Sequence, residues 1–140
     1  MSVETATETA IDDLTSTDTI ADLLDQLGDV SPSRVRLRPA PGTATEAHVV
    51  LVNESKRGLC ELIDGALVEK AMGIRESVLA SILIGYLRSY LGENAIGVVF
   101  GADAMFRMSG GNVRLPDVSF IHRDRFPGGK IPRIAIGDMP

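Results

Sequence analysis

The sequence predicts an α+β fold, with α/β-like features, in which a small sheet is backed by one long helix. Three observations carry that expectation. Cys60 to Ile63 and Ala66 to Lys70 flank Asp64-Gly65, and an Asp-Gly pair between two such segments signals a tight β-hairpin. Val78, Leu79, Ile82, Leu83, Tyr86, Leu87, Tyr90 and Leu91 then form a wide apolar stripe at helical spacing, with Gly92 placed as a stop. Strand candidates follow at 95–100, 103–108 and 113–121, and Ser109-Gly-Gly-Asn112 turns the second into the third.

The segments before this body are of another kind. Residues 1–16 are polar and read as disordered. Ile20, Leu23, Leu24 and Leu27 recur at i, i+3, i+4 and i+7 after Asp18-Thr19, and Gly28 ends what they predict, a short amphipathic helix. Val35 and Leu37 alternate with Arg34, Arg36 and Arg38, and Pro39-Ala-Pro-Gly42 breaks any regular structure. Thr43 and Glu46 have capping-box spacing and predict a second short helix over 47–53. Residues 1–45 thus read as an acidic leader with a Pro-rich linker, and 46–140 as the structured domain. Past Asp124 the chain is punctuated by Pro and Gly and reads as loop to its end, so the fold looks incomplete.

Length and composition limit the classes. The 140 residues are 44% hydrophobic, enough for one cored domain. Cys60 is the single cysteine, so it forms neither an internal disulfide nor a zinc cluster. No basic n-region and apolar h-region open the sequence, and no apolar run reaches membrane-spanning length, which makes the cytoplasm the default compartment. Residues 1–30 hold eight acids and no Lys or Arg, whereas the rest holds 14 basic against 11 acidic residues. A mildly basic body permits contact with a phosphate backbone without demanding it.

Two carboxylates are placed to do chemistry. Pro116 cannot donate a ladder hydrogen bond and suits a strand start, and Asp117 after it should share a face with Ser119 and Ile121. Glu76 falls at the N-terminal end of the long helix's apolar face, where the helix dipole favours an anion. Singly, each is the ordinary acid of its position. Together they are half of a magnesium shell, which takes a few carboxylate oxygens and keeps several waters. A third acid and a nearby lysine are not evident; Lys130 stands in a Gly/Pro loop. His48 and His122 have no metal-ligand spacing, and Tyr86 and Tyr90 read as core or interface residues.

Glu61-Leu-Ile-Asp-Gly65-Ala-Leu-Val-Glu69, the long helix, the Gly-rich turn and Arg114-Leu-Pro-Asp-Val-Ser-Phe-Ile121 resemble the bacterial restriction endonuclease domain family of the PD-(D/E)XK nuclease superfamily. The resemblance spans roughly residues 56–126. It implies a restriction-endonuclease-like core and Mg2+-dependent hydrolysis of DNA. It further implies Asp117 as catalytic acid and metal ligand, with Glu76 as a second, supporting one, and it gives Glu61 the position of a hairpin glutamate. The family's next acid and its lysine have no counterpart after Asp117, so the chain reads as a fragment, inactive alone. Arg75, Arg107, Arg114, Arg123 and Arg125 are the basic groups at hand for DNA. The competing expectation is a non-catalytic interaction module on a degenerate nuclease scaffold, with the Leu-rich leader helix docking a partner or completing a homodimer.

Overall fold

The Asp-Gly hairpin forms the sheet's first two strands, β1 (Cys60–Ile63) and β2 (Ala66–Glu69), antiparallel with Ile63 opposite Ala66. Asp64 and Gly65 take φ of 46° and 73°, the left-handed pair that a two-residue hairpin turn demands. Gly65 is needed for a second reason. Its carbonyl accepts from the amides of Gly42 and Ala44, and a Cβ there would stand 2.7 Å from the Gly42 backbone. In this computed structural model, which describes residues 19–93 and 96–138, two compact units emerge, Met1–Pro32 and Ser33–Pro140. The polar leader read at 1–16, and Ala95 of the first strand candidate, lie outside the described residues.

In the first unit, helix α1 (Ile20–Leu27) is closed by Thr19 and Asp22, which exchange backbone and side-chain hydrogen bonds as a capping box. In the second, Val35 bridges to Val68 and the Arg36 amide donates to Leu67, so the 33–38 segment covers the outer edge of β2. Helix α2 (Glu46–Glu54) begins at Thr45, not Thr43. His48 Nδ1 accepts the Thr45 amide at 3.0 Å, whereas Thr43 closes a turn onto the Ala40 carbonyl. A Thr-x-x-His pair thus does the capping expected of Thr-x-x-Glu.

The remaining elements are α3 (Ile74–Leu91), β3 (Gly97–Phe100), β4 (Met105–Arg107), β5 (Val113–Arg114), β6 (Ser119–His122) and β7 (Ile136–Asp138). Five strands form one sheet in the order β2-β1-β5-β4-β7, antiparallel except for the parallel β4–β7 pair, and β3 pairs with β6 in a second sheet. Two readings are corrected here. The candidate over 113–121 is two strands belonging to different sheets, with a break at 115–118. The tail read as loop holds β7, which is short and finds its partner far back in sequence.

The core has two centres. Val49, Cys60, Leu62, Leu67, Val113 and Ile136 bury between α2 and the main sheet, and Phe106, Ile121 and Phe126 bury where the sheets meet, with Phe100 edge-on to Phe106 at 5.4 Å. Cys60 is fully buried, which pushes its thiol pKa up. Helix α3 adjoins β3 and buries no residue. Ala80, Ile84, Leu87 and Leu91, spaced on one face, are half-buried, and the stripe predicted to face inward is exposed: Leu79 by 67%, Tyr86 by 73% and Tyr90 by 87%. Tyr86 and Tyr90 are therefore not core residues of this chain. No helix among the described residues is long and apolar enough to cross a membrane.

Candidate functional site

Asp117 sits in the break between β5 and β6 rather than on a strand face. Pro116 cannot extend a ladder, and the two residues that follow it bend before pairing with β3 resumes at Ser119. Ser119 and Ile121 point inward, whereas the Asp117 side chain is 56% exposed. The strand alternation expected to put all three on one face fails because the bend interrupts it.

The side chain brought to Asp117 is Lys70, at the end of the hairpin. The Lys70 amide donates to the Leu59 carbonyl and extends the β1–β2 pairing by one step. Its ammonium lies 2.9 Å from Asp117 Oδ1 and donates to the carbonyls of Leu115 at 2.6 Å and Ala102 at 3.0 Å. An ammonium has three N–H donors, and all three are used. The Lys70 side chain is only 9% exposed, so this pairing holds a charge that burial alone would make costly.

Glu61 works from the other side of the same segment. It projects from β1 opposite to Cys60 and Leu62, and its carboxylate accepts from the Leu115 amide at 2.7 Å and from Arg114 at 3.2 Å. Leu115 is thus held at both backbone groups, its amide by Glu61 and its carbonyl by Lys70. The Pro116-Asp117 bend is fixed by two charged side chains of the hairpin.

Glu76 is not part of this cluster. It is exposed in the first turn of α3, with its carboxylate folded back over Gly73, where a Cβ would stand 1.8 Å from Oε2. Among the described residues no hydrogen bond or ion pair joins it to Asp117. No three His, Cys, Asp or Glu side chains among them gather as metal ligands. Magnesium is held by one or two carboxylates together with waters and phosphate oxygens. Asp117 supplies one carboxylate, and one of its oxygens already lies against an ammonium. The described donor set does not fit a bound magnesium ion as it stands.

The basic groups divide. Arg107 donates to both Glu46 oxygens, at 2.5 and 2.9 Å, and pairs with Asp138, while Arg114 pairs with Glu61. The Arg107 guanidinium holds the Glu46 carboxyl below its ordinary value, and the two carboxylates push the arginine's pKa up. Arg75, Arg123, Arg125, Lys130 and Arg133 are exposed and make no ion pair among the described residues. Four of these five lie within one short stretch after β6. Arg125 lines a cleft of about 510 Å3 floored by Phe100, Phe106 and Phe126, and Asp117 and Lys70 are not part of its lining. Ser119 Oγ is buried with no hydrogen-bond partner.

Three contributors escape the sequence reading. Lys70 was legible as a hairpin end but not as a partner of Asp117, since two of its acceptors are backbone carbonyls, one of them 45 residues on. Asn53 donates to the Cys60 carbonyl and accepts its amide, pinning the end of α2 to β1. Asn112 accepts the Asp64 amide and ties the hairpin turn to the turn after β4. Only the hairpin register, which places Glu61 and Lys70 near one another's strand, carried a signal.

The Uma2 family model, described as "Putative restriction endonuclease", matches residues 46–138 and so takes in α2, the hairpin, α3 and every later strand. No curated protein matches the sequence. With well over half the chain matched, and with the hairpin, helix and Asp117 segment in order, the chain belongs to the Uma2 restriction endonuclease family.

Proposed function

We propose that this chain, although its sequence reads as a fragment inactive alone, is a nuclease domain that hydrolyses DNA phosphodiester bonds in the cytoplasm with the aid of a divalent metal, magnesium being the expected one. The single observation behind this reading is the Asp117 bend, inside the family-matched region and braced by Glu61 and Lys70 so that an exposed carboxylate stands at a fixed place. A divalent metal held by Asp117 would lower the pKa of a bound water and stabilise charge on the scissile phosphate. The chain's own residues have narrower tasks. Asp117 presents carboxylate oxygen at the break between β5 and β6, and Glu76, in the first turn of α3 and not joined to Asp117 among the described residues, would have to act as the supporting acid from there. Arg123, Arg125, Lys130 and Arg133 are free to take up phosphate charge along the DNA backbone. The test is supercoiled plasmid incubated with the protein in Mg2+ or in chelator. Nicking that requires Mg2+ is expected, and nicking that persists in chelator overturns the metal-dependent reading.

A second reading is favoured by the open face of α3. Ile74, Val78, Leu79, Ile82, Tyr86 and Tyr90 are each at least half exposed. A second copy of the chain covering this face would make the domain an interaction module. Sedimentation of the wild type and Ile82→Glu separates the cases: a dimer that the substitution dissociates supports the module, and a monomer in both removes it.

A further inference from the structure

The disagreement between the family's metal chemistry and the described donors has a particular shape at Asp117. Three oxygens converge there: the carbonyls of Ala102 and Leu115 and the carboxylate Oδ1 of Asp117. Two carbonyls and a carboxylate are a hard-oxygen set, the kind that Mg2+ and Ca2+ select. The group at their centre is the Lys70 ammonium, a point cation with all three donors engaged and its stem nine-tenths buried. The backbone at 70 is fixed by its bond to Leu59, and the two carbonyls come from a turn after β3 and from the β5–β6 break. That turn is closed by the Ala104 amide, which donates to the Gly101 carbonyl at 3.3 Å.

We infer that the Lys70 ammonium is a tethered cation occupying the position beside Asp117 that a divalent metal ion would take, so that metal and lysine compete for one oxygen cage. This rests on the reading of Asp117 as the acid that meets the metal. Three consequences follow from charge and geometry. Asp117 is paired at rest and does not attract a cation as a free carboxylate does. A metal ion must displace the ammonium, which has to leave a buried position for solvent. Removing the ammonium while keeping its stem leaves three inward oxygens with no positive partner, an arrangement that favours a cation strongly.

The experiment is a titration of the full chain with Mn2+, followed by calorimetry and by paramagnetic broadening of the Asp117 and Ala102 amides. Lys70→Met keeps the length of the stem and removes the charge; Lys70→Gln is the second variant should the first not fold. Either is expected to tighten Mn2+ binding at this place at least tenfold over the wild type, and Asp117→Asn added to it should abolish the gain. Equal Mn2+ affinity in the wild type and the Lys70 variant overturns the inference. In the wild type itself, Mg2+ that shifts the Asp117 carboxyl resonance must also shift the Lys70 side-chain resonances. An Asp117 response with Lys70 unmoved overturns it without any variant. A lysine with a merely structural role would alter stability and leave metal affinity where it was. Plasmid nicking is scored separately: absence of nicking in every variant counts against the nuclease reading, whereas unchanged Mn2+ affinity counts against the competition alone.

Discussion

Helices α2 and α3 are built from similar residues and end in opposite situations. The shorter, α2, has nine residues; it seats Val49 fully in the core and is fastened to β1 by Asn53 at its C-terminal end. The longer, α3, has eighteen residues and more large apolar side chains, yet buries none of them. Apolar content therefore does not decide burial; the presence of a facing surface does. Helix α2 has the five-stranded sheet beneath it, while α3 meets chiefly β3 of a two-stranded sheet, with Ala80, Ile84, Leu87 and Leu91 as its half-buried line.

That contrast is sharpest in the core. Leu67→Ala removes a fully buried side chain from the α2 side and should cost about 2–5 kcal/mol in urea unfolding. Leu83→Ala on α3, where the residue is 46% exposed, should cost less than about 1 kcal/mol in the monomer. Equal costs would break the comparison and place α3 in the core. Next in size is the fastening itself. Asn53→Ala leaves the Cys60 amide and carbonyl without their partners and should lower stability by about 2 kcal/mol. A loss of only a few tenths would mean that α2 is held by Val49 alone.

How much of this could be read from the sequence follows the same division. The hairpin, both ends of α3 and the order of elements were legible because each rests on local rules: a left-handed pair at Asp64-Gly65, a stop at Gly92, a turn at Ser109 to Asn112. The inward face of α3 was not. With apolar residues on nearly every side of the helix, the widest stripe looked like the buried one, and the partner surface chose Ile84 instead. The break at Pro116 was visible as a proline, but strand continuity across it was assumed. At the candidate site, Asp117 was singled out by its place after Pro116, whereas Lys70 was not. Its role depends on two carbonyl oxygens whose convergence only the folded backbone provides.

The smaller predictions concern polar groups near the site and at the edge of the α2 layer. Ser119→Ala deletes a buried hydroxyl that has no partner and should stabilise the protein by up to about 1 kcal/mol. A destabilisation would show that the hydroxyl is satisfied in solution. The Glu46–Arg107 pair ties α2 to β4, and the glutamate's folded pKa is depressed below its ordinary 4.5. Its contribution is therefore present above about pH 4.5 and is lost as pH falls through the lower, folded value. Glu46→Gln should reduce the acid sensitivity of the melting temperature between pH 5 and 3 slightly, because the pair is solvent-screened. Identical melting profiles for the two proteins would remove that link between α2 and the sheet.

The Asp117 bend bears most of the functional account, and one measurement addresses it directly: Mg2+-supported nicking of supercoiled plasmid by the wild type, Asp117→Asn and Ser119→Ala. The carboxylate is exposed and isosteric with its amide, but it is also the ion-pair partner of the nearly buried Lys70 ammonium, so nicking is compared only on protein whose native fold is verified by circular dichroism. The account predicts nicking by the wild type, its retention in Ser119→Ala and a loss of at least a hundredfold in Asp117→Asn. Nicking by a folded Asp117→Asn protein at the wild-type rate would contradict it.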